Sequence, residues 1–369
     1  MSTLIITLVA FLISGFIASY ICNTLLLRFS QSLGIRNKND VTIRWSNESK
    51  PSLGGVSFFV AFVFGTMAYA VVFTNEDIFH NKQFVGLMAA AIMAFVMGLS
   101  DDAYNTRPWI KLAVQISCGV ILVLTLTVID IMGVNYSPQN LPNIDWWGLP
   151  HLINATVTVI WVVGIMNSLN MLDNMDGITG TTVLFILVSC LASEVILFDW
   201  NMNIWSLTLL VQIGALLGFL RFNINPSQLF MGDAGSQFIG LFTAFFAIHH
   251  LWSVGETTHL TPWTGMFVTL IAFTPAAADT LTVVINRLRK GQSPMVGGKD
   301  HTTHHLVYSG LNDKQVWYVF LIIASLSALI AVLAITFAKW GNPWMGAFLA
   351  LFFVAVFGWL YRNTIVHKK

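Results

Sequence analysis

Long apolar segments recur along the whole chain, and they limit its fold more than any other feature. A hydrocarbon core about 30 Å thick needs about 20 apolar residues for each helical span. Eleven segments come near that length: residues 3–27, 53–73, 83–100, 110–130, 151–169, 180–198, 203–220, 236–252, 264–285, 316–337 and 343–361. Only 9% of the residues are charged, whereas soluble domains carry roughly 25%. The sequence therefore predicts an all-α, polytopic integral membrane protein with about eleven transmembrane helices.

The connections between these segments are short, and none forms a long hydrophilic block. We therefore predict a single multi-pass domain over residues 1–369, with functional loops near 101–111, 167–179, 221–236 and 286–306. The N-terminus opens directly into an apolar segment, so we expect a retained first helix rather than a signal peptide. The net charge of +1 and the absence of a basic run give no support for nucleic acid binding.

The Lys and Arg residues indicate the orientation of the predicted helices. Eleven spans divide the connections into two opposite sets, and one set holds sixteen of the eighteen Lys and Arg. The other set holds only Lys82 and Lys339. Because Lys and Arg accumulate on the cytoplasmic side of membranes, we predict that the N-terminus lies outside and that the C-terminus lies in the cytoplasm.

Four polar blocks interrupt the apolar pattern, all on the predicted cytoplasmic side. They read GLSDDAYNTRPWIKLAVQ at 98–115, NSLNMLDNMDG at 167–177, RFNINPSQLFMGDAGSQFIG at 221–240 and RKGQSPMVGGKDHTTHHL at 289–306. Two adjacent ionised acids, Asp101 and Asp102, are costly at a membrane boundary unless a cation or a reacting proton uses them. The blocks therefore predict a functional site, although interhelical amide hydrogen bonds are an alternative explanation for the second block.

The residue types in these blocks suit phosphate chemistry. Carboxylates are hard oxygen ligands for Mg²⁺ or Mn²⁺, which usually bridge protein acids and substrate phosphates. In GDAGS, Gly232 and Gly235 allow close backbone approach, and the N–H groups at the start of the following helix suit phosphate oxygens. The Lys, Arg and His side chains at 286–305 add donors for a second anionic group. Together these features predict transfer of a phosphoryl-linked group to or from a lipid.

In this order across a many-helix chain, the four blocks resemble the polyprenyl-phosphate N-acetylhexosamine-1-phosphate transferases, glycosyltransferase family 4. The resemblance covers roughly residues 30–310. Members of this family move a sugar 1-phosphate from a UDP-sugar onto undecaprenyl phosphate at the cytoplasmic face of the bacterial cytoplasmic membrane. They release UMP and use Mg²⁺ or Mn²⁺. The resemblance thus implies these substrates and this cofactor, and it leaves the oligomeric state open, with a homodimer as one option.

The resemblance also implies roles for particular residues. Asp101 and Asp102 match an acidic pair that engages or deprotonates the lipid phosphate, and Asp233 matches the metal ligand. Phe230 matches an aromatic residue under the uracil ring. The remaining substrate-binding matches are Asn167, Asn170, Asp173, Asn223, Lys111, Lys50 in KPSLGG, and His305; the remaining catalytic matches are Asp176, His301 and His304.

The sequence departs from the family pattern at two points, one in the nucleotide loop and one in the histidine block, and the second bears on the choice of sugar. Asn174 stands where most relatives have the first glycine of DGxDG. The block DHTTHH lacks the consecutive histidines of the muramoyl-pentapeptide transferases and is nearer the HxHH-like loop of the N-acetylglucosamine-1-phosphate branch. The resemblance therefore favours N-acetylglucosamine 1-phosphate transfer, the first membrane step of a cell-envelope polysaccharide such as O-antigen.

Two alternative functions and one residue stay open at this point. A muramoyl-pentapeptide transferase is the related alternative. A cation-coupled secondary transporter is the unrelated one, but it would carry mid-helix charges in corresponding halves of the chain, which the sequence does not show. Asp279 lies within the ninth predicted span, where an acid suggests a function; pairing with a nearby base such as Arg287 is equally compatible with the sequence.

Overall fold

In the computed structural model, the described residues are 2–30, 50–74, 77–136, 140–198, 203–293 and 298–367. They form α-helices and short helical turns, and none of them lies in a β-strand. The helices are α1 (Ser2–Ser30), α2 (Val56–Val72), α3 (Lys82–Tyr104), α4 (Pro108–Leu124), α5 (Leu149–Leu172), α6 (Ile178–Leu197), α7 (Ile204–Asn223), α8 (Gly232–Ala247), α9 (Val254–Thr257), α10 (Pro262–Ala272), α11 (Thr274–Arg289), α12 (Thr302–Tyr308), α13 (Asp313–Lys339), α14 (Pro343–Leu349) and α15 (Leu351–Val366).

The prediction of a polytopic, all-helical membrane protein is confirmed. Within the described residues, eight helices are long and apolar enough to cross a membrane, or nine if the bent pair α10 and α11 is one span. Two shorter apolar helices, α2 and α4, have 17 residues each. Every one of the eleven predicted spans falls on one of these helices. The count of eleven spans and the orientation stay predictions.

The ninth predicted span is not one straight helix. At Phe273 the axis turns by 82° between α10 and α11. Pro275 lies in the first turn of α11, where its missing N–H does no harm, but it cannot donate to a carbonyl of α10. Pro275 therefore interrupts the backbone hydrogen bonds between α10 and α11, and the bend follows from this interruption.

Helix α8 lies at the centre of the bundle, because its residues from Ala234 to Ala247 are all buried. Glycines let its first turn approach the neighbouring elements closely. A Cβ atom at Gly98 on α3 would lie 2.4 Å from the carbonyl oxygen of Asp233. A Cβ atom at Gly55, just before α2, would lie 1.9 Å from the Cα of Gly235. These close backbone contacts fix where α8 begins.

The contact between α3 and α8 predicts a strong effect of a single methyl group. We expect Gly98→Ala to lower the free energy of unfolding by about 1–3 kcal/mol, the usual cost of overpacking, because the obstructing atoms belong to backbone. Gly358→Ala in α15 is the matched control, since a Cβ atom there meets nothing within 4 Å. Thermal unfolding of both variants in detergent measures the difference. Equal stability of the two variants would contradict this account of the packing.

Candidate active site

A cleft of about 790 Å³ is lined by residues of all four polar blocks. Of the fourteen predicted site residues, twelve line it: Asp101, Asp102, Lys111, Asn167, Asn170, Asp173, Asp176, Asn223, Phe230, Asp233, His301 and His304. Lys50 and His305 do not. A smaller cavity of about 210 Å³, near Asp130 and Glu256, contains none of the fourteen. The structure thus brings together, at one cleft, blocks that are far apart in the sequence.

Lys111, near the start of α4, connects three of the blocks. Its Nζ lies 3.1 Å from Asp101 Oδ2 and 2.8 Å from Asp233 Oδ1. It also donates to Asn170 Oδ1 at 3.3 Å. The Lys111 side chain is only 16% exposed, so its ammonium group is a partly desolvated countercharge shared by two carboxylates.

Asp233, the predicted metal ligand, has one oxygen engaged and one available. Oδ1 accepts from Lys111 and from Asn170 Nδ2, the latter at 2.7 Å. Asn170 also donates to Ser236 Oγ at 2.8 Å, which ties it to the next turn of α8. Oδ2 accepts no hydrogen bond from the described part of the chain, and the side chain is 32% exposed. This oxygen is therefore accessible to a cation in the cleft.

The adjacent acids Asp101 and Asp102 have different partners. Asp102 accepts the backbone N–H groups of Asp233 at 3.0 Å and Ala234 at 2.9 Å. It thus caps the N-terminus of α8 from α3, where a negative charge is favourable. Asp101 Oδ1 instead accepts from the backbone N–H and hydroxyl of Thr106 at 2.8 and 2.7 Å. Separate partners reduce the mutual repulsion noted in the sequence.

This cap corrects one expectation from the sequence. The N–H groups at the start of α8 were expected to bind phosphate oxygens, but two of them already donate to Asp102. Gly232 precedes them with φ +74°, and a Cβ atom there would lie 2.1 Å from the carbonyl oxygen of Ser52. The turn therefore needs glycine, and it presents the Asp233 side chain rather than its backbone.

Asp176 and Asn223 hold two loops together at the wall of the cleft. Asp176 accepts from Ser227 through its N–H at 3.0 Å and its hydroxyl at 2.8 Å. Asn223 Oδ1 accepts the N–H of Gly177 at 3.0 Å, and its Nδ2 donates to the carbonyl of Leu229 at 2.9 Å. The structure thus gives both predicted site residues a positioning role between the second and third blocks.

Asn167 takes part in a buried amide chain. Its Nδ2 donates to Gln115 Oε1 at 2.7 Å, and Gln115 Nε2 donates to Gln237 Oε1 at 3.0 Å. Both glutamines are buried, and the sequence analysis did not single them out. Amides within the otherwise apolar α4 and α8 were the available signal, because such side chains bond across helices in membranes.

Phe230 forms one wall of the cleft, and the segment at 50–55 supports it. The Phe230 N–H donates to the carbonyl of Pro51 at 2.9 Å, and its carbonyl accepts from Gly54 at 2.9 Å. Lys50 Nζ lies 5.6 Å from the centre of the Phe230 ring and donates to Ser227 Oγ at 3.3 Å. Lys50 therefore supports the aromatic wall from behind.

The short helix α12 holds the histidines. His301, whose side chain is 7% exposed, contacts Asp279 Oδ2 through Nδ1 at 2.9 Å. The ring of His304 stands at 88° to that of His301, with centres 5.4 Å apart. Burial lowers the pKa of His304 to about 3. The His304 ring is therefore neutral at pH 7.

His305 lies outside the cleft, contrary to its predicted place among the substrate-binding residues. Its Nδ1 lies 2.7 Å from the carbonyl oxygen of His367, beyond the end of α15. Successive residues of a helix point about 100° apart, so a helix that presents His301 and His304 to the cleft turns His305 away. Its contact ties α12 to the C-terminal helix.

Arg287 pairs with Asp300 and not with Asp279, which settles the pairing that the sequence left open. The guanidinium binds both carboxylate oxygens, Nε to Oδ2 and Nη2 to Oδ1, each at 2.7 Å. Burial of Asp300 favours a raised pKa, but the hydrogen bonds and charge of Arg287 outweigh it and lower the pKa. Asp300 is therefore ionised at neutral pH and holds Arg287 at the rim of the cleft.

The charge in the cleft fits a divalent cation. Burial raises the pKa of Asp173 to about 7, and the nearby carboxylates of Asp233, Asp102 and Asp176 act in the same direction. Among the described residues, no three acidic, His or Cys side chains form a ready-made cage. Mg²⁺ commonly binds one or two carboxylates and keeps water or substrate phosphates as its other ligands. Asp233 with its acidic neighbours is a donor set of that kind.

Comparison with known proteins gives consistent matches. A family model described as glycosyl transferase family 4 matches residues 84–251. A Bacillus subtilis (strain 168) protein named "Probable undecaprenyl-phosphate N-acetylglucosaminyl 1-phosphate transferase" is 26% identical over 307 residues, 83% of this chain and 78% of that protein.

Two further relatives are named "Undecaprenyl-phosphate alpha-N-acetylglucosaminyl 1-phosphate transferase". The Yersinia pestis protein is 27% identical over 315 residues, and the Escherichia coli (strain K12) protein is 24% identical over 319 residues. Each match covers 83% of this chain and 78% of the relative. The matched family region contains three of the four polar blocks that line the cleft. The chain is thus similar to glycosyl transferase family 4 in the region that forms most of the site.

Proposed function

We propose that the protein transfers N-acetylglucosamine 1-phosphate from UDP-N-acetylglucosamine to undecaprenyl phosphate and releases UMP. The observation that carries this proposal is the cleft in which Lys111 joins Asp101 to Asp233. The names of the relatives support the sugar and the lipid. The reaction belongs on the cytoplasmic side of a bacterial cytoplasmic membrane, as the first membrane step of a cell-envelope polysaccharide.

The reaction needs a nucleophile, an electrophile and a leaving group in one line. An oxygen of the lipid phosphate attacks the β-phosphorus of the UDP-sugar. The bond from that phosphorus to the bridging oxygen breaks, and UMP leaves with the electron pair. Because negative charge lies on the attacking, leaving and non-bridging oxygens around the reacting phosphorus, the protein contributes chiefly by positioning the groups and by compensating their charge.

The residues of the cleft divide these tasks. Phe230 offers a face on which the uracil ring can stack. Lys111 supplies a fixed positive charge beside the acids, and Arg287 supplies guanidinium donors; His301 lines the same cleft. Asp233, held at the start of α8 by the Asp102 cap, would hold Mg²⁺ or Mn²⁺, with Asp173 as its neighbour. Such an ion, when bound, neutralises charge on phosphate oxygens.

One assay tests the proposal directly. The purified protein in detergent is incubated with undecaprenyl phosphate, Mg²⁺ and a panel of UDP-sugars that includes UDP-N-acetylmuramoyl-pentapeptide, and UMP release is measured. We expect release with UDP-N-acetylglucosamine, only when the lipid is present. Release with the muramoyl-pentapeptide donor instead would identify the sister activity. If a thermal unfolding transition shows that the protein is folded and no donor gives UMP release, the transferase proposal is refuted.

Asp233 gives the prediction about the metal. Asp233→Asn should abolish turnover, because an amide is a poor ligand for a hard cation. In addition, Mg²⁺ should raise the unfolding temperature of the wild-type protein, as any ligand of the folded state does, but not that of the variant. Asp145→Asn, at an exposed acid outside the cleft, is the control. Near-normal activity of Asp233→Asn across a Mg²⁺ titration would remove Asp233 from the metal site.

Phe230 gives the prediction about the nucleotide. Phe230→Leu keeps much of the volume but loses the aromatic face, and stacking on a base is worth about 1–3 kcal/mol. We expect the KM for the UDP-sugar to rise at least about fivefold, with a smaller effect on kcat, because the stack is the same in the ground and transition states. Phe230→Tyr should stay near wild type. An unchanged KM for the Leu variant would mean that Phe230 only packs.

The histidines give the prediction about the diphosphate and sugar. His301→Ala and His304→Ala should each reduce activity at least about tenfold, since a missing hydrogen bond to the substrate costs about 1.4 kcal/mol or more. The affinity for UMP, which lacks the sugar and the β-phosphate, should stay within a few-fold of wild type. His305→Ala is the control, because His305 faces His367. A parallel loss of UMP binding would place the two histidines at the nucleotide instead.

A further inference from the structure

A buried acid beside the cleft has no part in the phosphate chemistry described so far. Asp279 on α11 is 0% exposed, and its two oxygens contact two consecutive residues. Oδ2 lies 2.9 Å from His301 Nδ1. Oδ1 accepts the backbone N–H of Thr302 at 2.8 Å and the Thr302 hydroxyl at 2.6 Å. A buried charge of this kind needs partners, and all those found here lie at the start of α12.

The contact fixes which nitrogen of His301 carries a proton. An ionised carboxylate only accepts hydrogen bonds, so His301 Nδ1 must donate to Asp279. The second nitrogen, Nε2, is then the one left for a ligand, and His301 lines the cleft. The same hydrogen bond restricts rotation of the ring, as carboxylates do for working histidines elsewhere.

We propose that Asp279 is a positioning residue, which sets the tautomer and the orientation of His301 so that Nε2 faces the donor substrate. The proposal rests on the proposed function, because it assigns Nε2 of His301, the acceptor nitrogen of this tautomer, to a hydroxyl or N–H group of the sugar of the UDP-sugar. Asp279 itself does not touch the substrate. Its position 22 residues before His301, on the far side of the loop, explains why the sequence pattern of the histidine block does not include it.

Asp279 also caps α12 through the Thr302 N–H, so a test must separate orientation from capping. Asp279→Asn keeps an oxygen for Thr302 but presents an NH₂ donor or a neutral oxygen to His301. Asp279→Asn therefore disturbs the contact with His301 more than the contact with the Thr302 N–H that caps α12. Thr302→Val is the matched control, because it removes the hydroxyl contact and leaves the carboxylate facing His301.

The experiment is a double-mutant cycle with Asp279→Asn and His301→Ala, with kcat and KM measured for UDP-N-acetylglucosamine and for undecaprenyl phosphate. We expect Asp279→Asn to reduce kcat at least tenfold and to change the KM for the lipid less than threefold. In the His301→Ala background it should cause no further loss beyond about twofold. Thr302→Val should stay within threefold of wild type. Thermal unfolding of each variant checks that it is folded.

Three different outcomes would overturn the proposal. Losses that multiply in the double variant would show that Asp279 acts independently of His301, and a Thr302→Val loss equal to that of Asp279→Asn would make Asp279 a cap. Wild-type activity of Asp279→Asn excludes both roles. If Asp279→Asn does not fold, the same cycle is run with Asp279→Glu, which moves the carboxylate by one methylene. If the wild-type protein releases no UMP, the proposed function itself is refuted, and this outcome is distinct from a failure of the Asp279 proposal.

Discussion

The ammonium group of Lys111 is the contact on which the cleft depends. It stands between Asp101 on α3 and Asp233 on α8, and it also reaches Asn170 on α5. Removal of one partner from a buried ionic group leaves the others uncompensated, which is strongly destabilising. Because α3, α4, α5 and α8 each supply one member, their ends can meet only where this charge is balanced. The helical bundle and the site thus share one constraint.

The two adjacent acids illustrate how a local sequence signal becomes two different functions. Consecutive residues of a helix point about 100° apart, so Asp101 and Asp102 cannot share one target. Asp101 faces Lys111 and Thr106, whereas Asp102 caps α8. The pair therefore contributes a charge on one side and places the predicted metal ligand on the other. Loss of Asp102 would displace Asp233 even if Asp102 never touches the lipid phosphate.

Much of this architecture follows from the sequence, because apolar length is a local property. All eleven predicted spans fall on helices, and the polar blocks at their ends meet in one cleft. The 82° bend was not predicted, although Pro275 was visible, because whether a proline ends or only kinks a helix depends on the packing around it. The segment GQSPMVGG at 291–298 predicts a mobile loop before the histidines, but residues 294–297 of it lie outside the described residues.

Side-chain partners were harder to predict than positions. The sequence left open whether Asp279 has a function or pairs with a base such as Arg287, which lies two turns along the same helix. In the structure each bonds to the segment at 300–302. A sequence pattern shows which residues share a helix face but not which loop returns to that face. His305 was misplaced for a related reason, since the resemblance aligned a block while the helical geometry turned its last histidine away. The assignment of Asp233 as the metal ligand stays a prediction.

A common arrangement connects these cases. A residue whose side chain faces the cleft is held by a second buried or half-buried polar group: His301 by Asp279, Arg287 by Asp300, and Asp233, through its backbone N–H, by Asp102. In an apolar bundle such support is needed, because an unsatisfied polar group costs more in a low-dielectric interior than in water. The supporting residue and the supported one then behave as a unit, so substitutions within a pair should be less than additive, whereas those in different pairs should add. The supporting residues therefore belong to the site even where substrate never reaches them.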